Sequence, residues 1–192
     1  VRWLTKIVFF LLIGCCNLSR YSHCETLTKQ DDTIPIVLHL RSEKDLDVAT
    51  KLLSYPKKTL LAHGINVYID RVIFREEGEL DIVGTPEMER STLDEDEKIH
   101  IFFIDSLYGD DGEQLYGLHV NFSNRCKSYI LIPDETTLST IAHEIGHEFG
   151  LIHTEDRSNI MRSGERASDA TFTKEQANII REGMLSKRKS CY

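Results

Sequence analysis

The sequence predicts a mixed α/β (α+β) domain, and three observations carry that expectation. Apolar patterns follow one another in the order strand, helix, several strands, then helices, which is the order of a mixed sheet with helices packed on it. Hydrophobic residues make up 41% of the 192 residues, enough for a real core and too many for disorder throughout. No apolar run reaches the roughly 18 residues that cross a bilayer as a helix. A net charge of −8 disfavours nucleic acid and anionic lipid as electrostatic partners, because like charges repel. One domain, expected to be monomeric, fits the length.

The N-terminus is expected to be an address. Arg2 and Lys6 precede the uninterrupted apolar run of residues 7–13, a basic region followed by a short hydrophobic one, as in a secretory signal. The run ends in Leu12-Ile13-Gly14-Cys15, which resembles a bacterial lipobox. The resemblance implies a signal peptide over 1–14, lipidation of Cys15, and export to the cell surface or outer membrane with a lipid anchor as the only membrane contact. The alternative is an ordinary secretory signal that contains Gly-Cys, giving a secreted protein. With Cys15 lipidated, Cys16, Cys24, Cys126 and Cys191 remain, a number compatible with two disulfides whose connectivity the sequence does not fix.

Residues 15–33 are polar and aperiodic, a tether or a short pro-segment, and the folded domain is placed at 34–192. Residues 34–40 (IPIVLHL) form an apolar-rich strand. Ser42 to Asp45 form a capping box that opens a helix through Leu53, resuming after Pro56 to His63 and closed by Gly64. Residues 65–74 alternate apolar and polar side chains as a strand does. The acidic stretch 76–96 is a solvated loop. Residues 99–104 (IHIFFI) are a buried strand, and residues 115–122 and 129–132 are two more, with a turn at Ser123-Asn124. A last helix runs from a cap at Thr173 to Met184.

The chemistry lies in residues 143–153, which read H-E-x-x-H-x-x-G-x-x-H. His143 and His147, four apart on a helix begun by residues 138–142, share one face and present two imidazoles to one ion. Gly150 permits the positive φ that ends the helix, so that the chain turns back and His153 supplies a third nitrogen. Three neutral imidazoles leave one tetrahedral position for water, the arrangement of a catalytic Zn2+ site. Glu144, beside the first ligand, is placed to take the proton of the attacking water and return it to the leaving amine. By chance the full spacing falls below about 1 in 10,000 shuffled chains. His23, His39, His63, His100 and His119 lack this spacing and are expected to be ordinary structural residues.

This extended motif resembles that of the metzincin zinc endopeptidases, which also carry a methionine turn beneath the metal. Met161 lies eight residues past His153 and Thr154 follows it directly, a short connection similar to that of matrixins and small bacterial matrixin-like enzymes. The resemblance implies a twisted mixed five-stranded sheet, a backing helix, an active-site helix and a C-terminal helix. It also implies an antiparallel edge strand, here residues 115–122, that pairs with extended protein or peptide substrate. Residues between Met161 and Phe172 would border the cleft, with Arg162 within reach. The matrixin pattern for a second zinc is missing; Asp105 and residues 110–113 offer an acidic loop for Ca2+, for which a plain turn is the simpler account.

The function that follows is a zinc-dependent metalloendopeptidase with one catalytic ion on His143, His147 and His153, Glu144 as general base and Met161 under the site. A surface-anchored lipoprotein that keeps zinc without catalysis is the alternative, and retention of Glu144 speaks against it. A zinc hydrolase of non-peptide amides shares the mechanism.

Overall fold

The computed structural model describes residues 32–75, 97–121 and 128–191. Five strands form one sheet: β1 (Thr33–Leu40), β2 (Asn66–Phe74), β3 (Ile99–Ile104), β4 (Leu118–Asn121) and β5 (Ser128–Pro133). The spatial order is β2-β1-β3-β5-β4. β1 pairs in parallel with β2 and β3, and β3 with β5, while β4 alone runs antiparallel at the edge. Every residue of β3 and β5 is buried, as expected of interior parallel strands covered on both faces.

Three helices accompany the sheet: α1 (Glu43–Leu61), α2 (Thr140–Glu148) and α3 (Lys174–Ser190). The main core joins Ile36, Leu38 and Ile101 of the sheet to Leu53 and Leu60 of α1, Ile141 and Ile145 of α2, and Ile180 of α3. The opposite face buries Phe102, Ile104, Tyr129 and Leu131. The helix, strand and mixed-sheet pattern expected from the sequence is therefore present. Residues 1–31, over which the signal peptide, the lipidated Cys15 and most of the tether are expected, lie outside the described residues, as do the acidic stretch 76–96 and the turn expected at Ser123-Asn124. Cys191 is disulfide-bonded, and the other four cysteines all lie outside the described residues.

Two local expectations are corrected. The helix expected to pause at Pro56 is continuous, with Pro56 inside it. A proline in a helix interior costs about 3 kcal/mol through its missing N–H and ring clash. Here the apolar stripe Ala49, Leu52, Leu53, Pro56, Leu60 keeps helical spacing through the proline, and all five are buried. Burial of that stripe outweighs the local penalty. Gly64, at φ +78°, closes the helix: its N–H reaches the Leu61 carbonyl and that of Ile65 reaches the Leu60 carbonyl. The second correction is the edge strand, which spans only Leu118–Asn121 among the described residues; residues 115–117 approach it without joining the ladder. The first strand also begins one residue early, at Thr33, drawing the end of the expected tether into the sheet.

Where β1 and β3 lie side by side, His39 is fully buried and stacks on Phe102 with ring centroids 3.9 Å apart. Arg75 donates to its Nδ1 from Nε (3.1 Å) and Nη2 (2.9 Å), which leaves the proton on Nε2 to be donated to His100 Nδ1 at 2.9 Å. Burial first, then the influence of His100, Arg75 and Arg71, pulls its pKa from 6.5 down to about 2. The unfolded chain binds this proton below about pH 6.5 and the fold does not, so stability falls as pH falls, by up to about 1.4 kcal/mol per pH unit from this one group. Urea midpoints taken at about pH 7.5 and about pH 5 should fall further in the wild type than in His39→Gln. Equal falls would show that this imidazole is not held neutral.

Candidate active site

Helix α2 runs beneath the sheet and is buried from Thr140 through Gly146. Its end is a tight turn: Gly150 has φ +88°, its N–H bonds the His147 carbonyl at 3.0 Å, and the Leu151 N–H bonds the Gly146 carbonyl at 2.9 Å. No atom crowds a Cβ at Gly150, so the requirement there is backbone conformation alone. The turn reverses the chain, and the three predicted histidines converge. The Nε2 atoms lie 3.0 Å apart for His143 and His147, 3.1 Å for His147 and His153, and 3.2 Å for His143 and His153.

Two of the rings are fixed by backbone carbonyls. His143 Nδ1 donates to Ile160 O at 2.8 Å and His147 Nδ1 donates to Leu151 O at 2.9 Å. With the proton held on Nδ1, each Nε2 keeps its lone pair for the common point. Burial foremost pulls the His143 pKa down to about 3 and also lowers that of His147, which favours the neutral form a metal requires. Tetrahedral zinc with bonds of about 2.0–2.1 Å sets its nitrogen ligands about 3.3 Å apart, close to the observed triangle, so the donor set fits the ion. Among the described residues this is the one group of three or more His, Cys, Asp or Glu side chains arranged to hold a metal; the acidic loop at 110–113 forms no such group.

Met161 is fully buried under the helix and is held by its surroundings. Its N–H bonds Asn159 Oδ1 at 2.8 Å, and its carbonyl accepts from Thr154 N at 3.0 Å. Asn159 in turn exchanges two side-chain hydrogen bonds with Gln176, at 2.9 and 3.1 Å. Gln176 also completes the capping box of α3 with Thr173. The cap of the last helix thereby positions the turn whose Ile160 carbonyl orients His143. Sequence reasoning missed Asn159, Gln176 and also Gly146, where a Cβ would collide with Met161 Sδ.

Glu144 is 6% exposed and lines an open cleft of about 1100 Å³ together with the three histidines. Burial pushes its carboxyl up to about 7, against the pull of His119, of Arg166 and of a hydrogen bond from the His119 backbone. Gly117 lies against it: a Cβ there would meet Thr140 Cγ2 and come within 3.1 Å of Glu144 Oε1. The facing wall is the stretch 115–119 leading into β4, and the near rim includes Arg166 rather than the expected Arg162, whose guanidinium bonds the Glu155 carbonyl instead.

His119, expected to be an ordinary strand residue, joins a buried ionic group beside the site. Its Nε2 donates to Glu148 Oε2 at 2.8 Å. Glu148 Oε1 accepts from Lys187 Nζ at 2.5 Å and from Ser128 Oγ at 2.7 Å. The side chains of Glu148 and Lys187 are 3% and 7% exposed. Burial would raise the Glu148 pKa, but the His119 hydrogen bond and the Lys187 charge hold it down at about 2, so the carboxylate is ionised.

No protein-family model and no curated protein matches the sequence. Among solved structures, the fold is similar to that of archaemetzincin from Methanopyrus kandleri, with 11% identity, coverage of 80% of this chain and 97% of that one, and a TM-score of 0.54. A zinc-dependent peptidase from Methanocorpusculum labreanum shares 15% identity over 76% of this chain and 99% of that one, at a TM-score of 0.46, too loose a match to carry argument. The likeness to archaemetzincin is one of overall fold, the mixed five-stranded sheet with its three helices.

Removing one member of a buried ion pair strands the other, at a cost of about 3–5 kcal/mol. Lys187→Met should therefore lower stability by that order, and Lys187→Met combined with Glu148→Gln should recover part of the loss. Chemical denaturation of the two variants checks this; additive losses would show that the pair is not coupled.

Proposed function

We propose that the protein is a zinc-dependent metalloendopeptidase of the metzincin kind, matrixin-like in its short connection from His153 to Met161. The observation that carries this is the convergence of three imidazoles, two of them oriented by backbone carbonyls, beside a buried glutamate in an open cleft bordered by an antiparallel edge strand. Such a triad without the glutamate would suit metal storage or binding. The name of the structural neighbour, archaemetzincin, accords with a metal-dependent hydrolase.

His143, His147 and His153 would hold one Zn2+, which when bound supplies Lewis acidity that polarises a carbonyl and brings a water's pKa near about 7. The protein's own groups do the rest. β4 is the outermost strand of the sheet, and an extended peptide can add to it by backbone pairing, which aligns many sequences in one register. Glu144 accepts the proton of the attacking water and delivers it to the departing amine nitrogen, which cannot leave as an anion. Its burial suits the first half of that task, since a carboxylate with a raised pKa is the stronger base toward the proton of the water. Gly117, by its lack of a side chain, lets the substrate-facing wall come close to this carboxylate.

Glu144→Gln keeps shape and removes the base, so cleavage of a peptide library should fall by about 10²–10⁴-fold while the protein still binds about one zinc. Zinc content by metal analysis and cleavage by mass spectrometry check both halves. Wild type that holds zinc and cleaves nothing would sink the peptidase reading in favour of a binding protein.

The N-terminal pattern supports export and lipidation at Cys15. Intact mass of the mature protein from membranes should show residue 15 as the first residue carrying acyl chains. A free N-terminus elsewhere would exclude the anchor.

A further inference from the structure

Arg166 is the cation of the cleft wall, half-buried on the segment between the Met161 turn and α3. Its Nε donates to the Arg162 carbonyl at 2.9 Å and its Nη1 to Ser139 Oγ at 3.3 Å, both neutral acceptors. These occupy two of five guanidinium N–H groups. No carboxylate among the described residues forms an ion pair with it. The segment is itself pinned, with Ala167 N on the Arg157 carbonyl at 2.9 Å and Ala170 N on the Ala167 carbonyl at 3.1 Å. Burial pulls the Arg166 pKa down from its usual value, with Glu144 and Tyr55 opposing, which marks a charge partly stripped of water and left without a partner of its own. Such a charge gains from an incoming anion because part of the desolvation has already been met in folding.

Glu144 is the nearest acid by influence, yet it is not bonded to Arg166, and ion-paired it would be a poor base. Given the peptidase reading, we propose that Arg166 forms a carboxylate subsite of the cleft, so that the preferred substrates are peptides carrying a carboxylate near the scissile bond. The planar fork matches a carboxylate in two-point fashion, and a lysine there would offer only a point charge. Two sources supply the same chemistry: an Asp or Glu side chain within the peptide, or the free C-terminus of a short one.

The test is a peptide series on the zinc-loaded protein, with Asp against Asn at each position around the cleaved bond and a free against an amidated C-terminus. A charge-assisted hydrogen bond in a half-buried site corresponds to about 10- to 100-fold in kcat/KM for the carboxylate at one position. Arg166→Gln should bring that ratio to about 1, Arg166→Lys should keep part of it, and Arg166→Glu should turn the preference toward Lys or Arg at the same position. A wild type with no carboxylate preference overturns the subsite, as does an Arg166→Gln variant that retains it. Fluorescence anisotropy with the same labelled peptides on Glu144→Gln separates this from the peptidase reading. If the wild type cleaves nothing but Glu144→Gln binds the Asp peptide over the Asn peptide, and Arg166→Gln in that background removes the difference, the subsite stands and the peptidase reading falls. Cleavage with no difference between the Asp and Asn peptides ends the subsite and leaves the peptidase reading standing, while no cleavage together with no difference in binding ends both.

Discussion

The structure depends on two hydrogen bonds between imidazole Nδ1 atoms and backbone carbonyls, His143 to Ile160 and His147 to Leu151. Three nitrogen lone pairs aimed at one point gain nothing from each other, so something else must hold the rings. The carbonyls do so, and each belongs to a turn that has its own reason to exist. Leu151 closes α2 with its N–H and orients His147 with its C=O, so the helix terminus and the ligand geometry are one feature. Ile160 precedes the methionine, and its position traces back through Asn159 and Gln176 to the cap of α3. Loosening the last helix would therefore reach the first ligand without touching it.

A second constraint acts from below. Glu148 follows His147 directly, and its buried carboxylate ties α2 to β4 through His119, to β5 through Ser128 and to α3 through Lys187. A charge this deep contributes little net stability, since the desolvation cost of both ions offsets most of their attraction. Its worth is geometric: both carboxylate oxygens accept from donors on three elements, so the helix bearing the ligands and the strand proposed to carry substrate share one anchor. A hydrophobic contact at the same place would permit sliding.

Local pattern made much of this legible in the sequence, and distance along the chain hid the rest. The 143–153 spacing announces its own geometry because a helix repeat and one glycine suffice to bring the rings together. Strands 34–40, 99–104 and 129–132 were legible because buried parallel strands are short, continuous and apolar. The unbroken helix through Pro56 was not, since propensity at one residue speaks locally while the stripe from Ala49 to Leu60 answers to the core. Glu148 carries no signal in the sequence, because Lys187 lies 39 residues away and Ser128 lies 20 away. The sequence points to Arg162 alone, and the path of the turn instead places Arg166 at the cleft while Arg162 bonds back to the Glu155 carbonyl. Gly146 hid in a variable position of the motif, its role set by a methionine that follows 15 positions later, at Met161.

Charge works on two length scales in this protein. The chain is acidic overall, at −8, so an acidic peptide approaching from afar is repelled rather than steered. At physiological salt that field decays over about 8 Å, and it weighs on encounter rate more than on the bound state. Inside the cleft the balance reverses, because the guanidinium of Arg166 is half-buried and poorly screened, and its two hydrogen-bond partners are neutral. On the proposed reading, discrimination in favour of a carboxylate would therefore arise after contact, in the bound complex, where it would coincide with the alignment of the peptide along β4. An enzyme built this way gains selectivity without gaining speed of capture, and its preference resists added salt better than a preference due to surface charge would.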